Sequence, residues 1–159
     1  MAYWLVGEVP SKEPGATQAT ALTPDETGLP SPPNRLLSMT GWTIGEFLDV
    51  FRVRTTVWKQ PWPQWMDEGR RRAAQIAEEA IGAEGIVVVG HNAAAAFCLD
   101  GQDLFEWLGR YAVIPSPAPT RLARYWRVPG MRERAQGFFA GILERHRQSR
   151  ARGSRASKR

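Results

Sequence analysis

One cysteine and two histidines are all that this chain of 159 residues offers as soft ligands. A lone thiol excludes an internal disulfide, and so small a ligand set excludes a Cys-rich metal centre. Cys98 follows an apolar helical run and is expected to be a buried thiol. No apolar stretch approaches the roughly 20 residues that span a bilayer, so no membrane partner is expected. The apolar run at 3–6 is too short for the core of a signal peptide, which makes a cytoplasmic protein the expectation. Carboxylates are missing from one end. Residues 146–159 hold six of the 21 basic side chains and none of the 16 acidic ones, leaving 15 basic against 16 acidic residues in 1–145. The formal charge of +5 therefore belongs to the terminus. With no apolar side chain larger than alanine, residues 146–159 read as a basic disordered tail beyond a single domain at 1–145. Such a tail either adds salt-dependent affinity for nucleic acid by counterion release or only keeps the chain soluble.

What is present is organised around residues 84–97, EGIVVVGHNAAAAF. Residues 86–89 are wholly apolar and β-branched, as in a strand buried on both faces, and Gly90 stops the run. His91 and Asn92 can open a helix that the alanines continue. Strand, glycine turn and helix form a βα unit, and parallel sheets built from such units hold ligands beyond the carboxyl ends of their strands.

Three more strands are expected, at 3–6, 52–58 and 111–114. A Pro-, Thr-, Gly- and Ser-rich loop of more than twenty residues runs from Ser11 to Pro33, a length that in compact domains usually signals function or mobility. Helices are expected at 34–39, at 44–51 behind the capping box begun by Thr43 and Glu46, at 66–81, and from near Pro129 onward. Apolar stripes assign Ile44, Phe47, Leu48 and Phe51, then Ile76, Ala77, Ala80 and Ile81, then Ala135, Phe138, Phe139, Ile142 and Leu143 to helix faces that are buried. Residues 103–108 suggest a helical turn, and PSPAP after Ile114 a loop. The resulting fold class is α/β, a three-layer α/β/α sandwich on a four-stranded parallel sheet.

The four strand ends would bring GEVPS (7–11), TTVWKQPW (55–62), GHN (90–92) and PSPAPTR (115–121) to one rim. In order and spacing, residues 3–143 resemble the uracil-DNA glycosylase superfamily, particularly its small bacterial and phage members. Gly7-Glu8-Val9-Pro10-Ser11 is similar to the opening Gly-Glu-Ala-Pro-Gly motif. Gly28-Leu29-Pro30 and Asn34-Arg35-Leu36-Leu37 are similar to the Gly-x-Pro element and the Gly-Arg-x-Leu helix start. Ser116-Pro117-Ala118, followed by Thr120, Arg121, Arg124, Tyr125 and Trp126, is similar to the terminal His-Pro-Ser motif and its DNA-wedging loop. Departures accompany the matches: Ser116 stands in place of the histidine, Thr56 in place of an asparagine, no phenylalanine follows Pro30 to stack the base, and the cysteines of the iron–sulfur branch are missing.

The resemblance implies hydrolysis of the N-glycosidic bond of a deaminated or modified pyrimidine flipped out of DNA, by a monomer that needs no metal or organic cofactor. Glu8 and Ser116 would be the catalytic residues. Thr56, Trp58, His91 and Asn92 would line the base pocket, and Thr120, Arg121, Arg124 and Trp126 would contact single- or double-stranded DNA. A carboxylate such as Glu8 can orient water or offset the positive charge that develops on the sugar. Trp62 and Trp65, among prolines, suit base stacking. The same residues also admit plainer roles: a turn cap for Glu8, a helix start for His91, an inward strand side chain for Thr56. Two further functions stay open. One is an inactive relative that binds DNA or a protein partner through the rim. The other is a group-transfer enzyme acting on a modified base.

Overall fold

The computed structural model describes residues 2–7, 22–55 and 64–157. Among them five strands form one sheet: β1 (Tyr3–Gly7), β2 (Phe51–Thr55), β3 (Gly85–Val89), β4 (Trp107–Leu108) and β5 (Tyr111–Ile114). Six helices accompany them: α1 (Pro32–Thr40), α2 (Ile44–Val50), α3 (Gln64–Glu79), α4 (His91–Ala96), α5 (Pro119–Trp126) and α6 (Met131–Ala156). The strand order is β2-β1-β3-β5-β4, parallel throughout except for β4 against β5.

Chain direction explains where the helices go. Parallel crossovers are right-handed, so a step to one side of β1 and a step to the other put their helices on opposite faces. Side chains alternate along each strand and fill two cores accordingly. Tyr3, Leu5, Val87, Val89 and Ile114 pack with Leu36, Phe47, Phe139 and Ile142 from α1, α2 and α6. Trp4, Val6, Ile86, Val88 and Val113 pack with Ile76 of α3, with Ala80 just beyond its end, and with Ala93 and Ala94 of α4. The order reverses between β1 and β3, and open α/β sheets keep their ligands at that switch.

Several expectations are corrected. The sheet has five strands, not four. β4 falls where a helical turn was expected, because Gly109, at φ 61°, and Arg110 make a two-residue hairpin that returns Leu108 onto Tyr111. The Trp107 ring then covers Gly85, where an added Cβ would lie 2.7 Å from Cη2. α5 occupies the segment read as a loop, with Pro119 in its first turn. Residues 146–156 are not a disordered tail but the continuation of α6, whose His146 is buried and bonds Asp49, while Arg147 and Arg150 pair with Glu46 and Asp49 of α2. Cys98 is exposed, not buried, since α4 ends at Ala96 and the thiol falls in the following turn. Ile81 and Leu48 are 79% and 51% exposed: α3 ends at Glu79, and only part of the α2 stripe faces the sheet. No helix of the described residues is long and apolar enough to cross a membrane.

Candidate nucleic-acid interface

Two glycines end the strands that flank the switch. Gly7 closes β1, and an added Cβ there would come within 2.5 Å of the Leu22 side chain, so glycine lets that leucine seal the strand end. Gly90 follows β3 at φ 87°, ψ 159°, a conformation close to glycine-only. Its N–H donates to the Ile114 carbonyl at 2.9 Å, and an added Cβ would lie 3.6 Å from Cβ of Ser116. The ends of β3 and β5 are thus in contact. β1 stands one strand further, which puts Gly7 and Ile114 two strand spacings apart, roughly 10 Å.

Ser116 is half-buried, and its hydroxyl oxygen accepts from the Ala118 N–H at 3.3 Å. The turn is pinned from outside: Arg35 of α1 donates through Nε to the Pro117 carbonyl at 2.7 Å. Pro119 then starts α5 and leaves Thr120, Arg121 and Arg124 exposed on the surface beyond the sheet edge. Arg121 reaches back to donate to Nδ1 of His91, the first residue of α4. A guanidinium can only donate, so this contact requires the Nδ1 lone pair and places the neutral ring's proton on Nε2. Asn92, next along α4, is half-buried. Ser116, His91, Thr120 and Arg121 therefore share one edge.

Trp126 takes a different place. Half-buried, it packs on the larger core with the Arg132 guanidinium 5.1 Å from its ring centre, and the two line a cleft of about 240 Å³ with Arg35 and Leu122. The geometry is that of an anchored ring and not of a projecting wedge. Glu8, Thr56, Trp58 and Trp62 lie outside the described residues, as does the side chain of Trp65.

Charge distinguishes this edge. Between Glu106 and Glu133 the chain carries Arg110, Arg121, Arg124, Arg127 and Arg132 and no carboxylate. Arg110 is committed to the carbonyls of Ala77 and Ala80 at the end of α3. Among the described residues no ion pair involves the other four. Of these, Arg121 and Arg124 stand three residues apart at exposed positions of α5, and unneutralised arginines on one face are the electrostatic footprint of a polyanion site. That acid-free interval is legible in the sequence, whereas Arg35, legible only as part of a helix start, is joined to the Pro117 turn by tertiary placement alone. Among the described residues no three His, Cys, Asp or Glu side chains gather as a metal site requires.

No family model matches this chain, and neither a curated protein nor a solved structure matches it.

Proposed function

We propose that this chain is a DNA-binding, base-processing protein resembling the uracil-DNA glycosylases, a three-layer α/β/α domain that works at the carboxyl edge of its sheet. The observation that carries this is the basic, carboxylate-free surface of α5 set directly beside the ends of β3 and β5. Arg121 and Arg124 contact phosphates, and each neutralised phosphate contributes a slope of about −0.9 in the logarithm of affinity against that of salt. The target nucleotide leaves the stack, unstacking being the energetic cost of access.

In the reaction, water adds through oxygen to C1′, the C1′–N bond breaks, and the departing base takes up a proton. Glu8 orients the water and offsets the charge on the sugar. Ser116 donates its O–H to the departing base, while its oxygen already accepts from Ala118. A neutral hydroxyl is a weaker donor than a histidine, and losing one such contact costs on the order of 10²–10³ in rate in other enzymes. The expected activity is therefore slow. Ser116 and Thr56, standing where the resembled family has a histidine and an asparagine, favour a second reading, a non-catalytic relative that binds DNA or a protein partner through the same edge.

An abasic-site assay on oligonucleotides bearing uracil, hydroxymethyluracil or mismatched thymine tests this. Abasic product that disappears in Glu8→Gln supports hydrolysis. Binding with no product in any of these substrates leaves the binding role and rejects the catalytic one.

A further inference from the structure

Between α1, α5 and α6 lies the cleft of about 240 Å³ beside Trp126, which the reaction set out above does not use. Two arginines line it, Arg35 from α1 and Arg132 from α6, and no carboxylate does. Neither arginine takes part in an ion pair among the described residues. Both are nevertheless held in place. Arg35 spends Nε on the Pro117 carbonyl at 2.7 Å, and the Arg132 guanidinium lies 5.1 Å from the centre of the Trp126 ring. Neither of these contacts occupies a terminal amino group. Like charges brought to one cleft repel unless an anion lies between them, and forks whose orientation is already fixed lose little freedom in binding one.

The lining also selects the anion. A carboxylate has two oxygens, and one bidentate guanidinium uses both. A second fork calls for a third oxygen, which the end group of a phosphate monoester offers. We infer that this cleft binds the terminal phosphate of a phosphate monoester, shared between Arg35 and Arg132, with the Gln136 amide as a neutral donor at the rim. Ser38 adds no donor, because its hydroxyl donates to the Asn34 carbonyl at 3.1 Å. Met39 and Leu122 give the esterified group an apolar floor. The volume is below the roughly 300 Å³ at which sites for drug-sized ligands begin, so the phosphate and a small substituent fit and a whole nucleotide does not. The same group occurs on a small free ester and at the 5′ end of a phosphorylated DNA strand. The cleft uses neither Glu8 nor Arg121, so it stands or falls separately from the glycosylase reading.

NMR titration of the full chain with phenyl phosphate tests the proposal, with diethyl phosphate and acetate as controls at matched ionic strength. Phenyl phosphate should move the Trp126 indole N–H and the amides of residues 132–136 with saturation. Both controls should bind about tenfold more weakly or not at all. Arg132→Met, at an exposed helix position, should weaken phenyl phosphate about tenfold or more, because it removes hydrogen bonds to a charged group. Gln136→Glu, equally exposed, sets a carboxylate in the cleft and should abolish the binding, while an unchanged melting temperature shows that each variant keeps the fold. A 5′-phosphorylated oligonucleotide that displaces phenyl phosphate better than its unphosphorylated form assigns the strand end as the source; equal or absent displacement assigns a free ester. No saturable shift with phenyl phosphate, equal binding of either control, or binding that Gln136→Glu leaves intact overturns the proposal.

Discussion

Arg121 donates to Nδ1 of His91 and so joins the first turn of α5 to the first turn of α4 across thirty residues of sequence. The contact holds a cation at the end of the sheet and uses the only face of the imidazole able to accept it. Protonating that ring would exchange its acceptor for a donor and set two cations against each other. Nitrogen NMR should show His91 as the Nε2–H tautomer, and Arg121→Ala should release that preference. An Nδ1–H ring in the unmodified protein would contradict the contact.

DNA affinity should depend on α5 through charge alone. Arg121→Ala and Arg124→Ala are each expected to weaken binding about equally for every sequence and to reduce the salt slope by about 1. Fluorescence anisotropy over a salt series measures both. Weakening confined to one sequence would mean that these side chains read bases and not phosphates.

Gly90 should tolerate no side chain. Its φ of 87° with ψ of 159° is strained for any L-residue, so Gly90→Ala should destabilise by about 1–3 kcal/mol in urea unfolding. The nearest atom to the added Cβ, on Ser116 at 3.6 Å, is at ordinary contact distance, which makes backbone strain and not collision the cause.

Phe139 is the centre of an aromatic cluster, with the rings of Trp42, Phe105 and Phe138 within 6.2 Å, and it is wholly buried. Phe139→Ala removes a large ring from packed surroundings and should cost about 3–5 kcal/mol.

Acid should loosen α6 from α2. Hydrogen bonding from His146, with the charge of Arg150 beside it, holds the Asp49 carboxyl below its ordinary value. Above about pH 4 the carboxylate is ionised folded and unfolded alike, and the full contribution is present. As the pH falls further, the unfolded chain takes up the proton first, and the contribution disappears through the lower folded value. Asp49→Asn should therefore melt below the unmodified protein at neutral pH, and the two should converge in acid. Solvent screening at this half-exposed pair keeps the difference small.

The parallel strands could be read in the sequence because each is a compact β-branched or aromatic run: 111–114 was expected with the bounds it has, and 86–89 lacked only Gly85. β4 was hidden because two residues give no period. Its signal was Gly109 as the first residue of a two-residue loop. α5 was obscured by PSPAP, although proline is at home in the first helical turn. The extension of α6 escaped because composition weighs its arginines as solvated charge, while Glu46 and Asp49 pair with Arg147 and Arg150 across about a hundred residues of chain. The rim itself followed from topology once the strands were assigned. The His91–Arg121 contact and the anchoring of Trp126 beside Arg132 depend on tertiary placement that no local pattern encodes.

Amide chemical shifts recorded while a short uracil-containing duplex is added report directly whether DNA meets the carboxyl edge of the sheet. Residues 90–92 and 116–124 should move together with saturation and lose the response in high salt. Shifts confined to β4 or to the far end of α6, with that edge unmoved, would contradict the interface and the chemistry built on it.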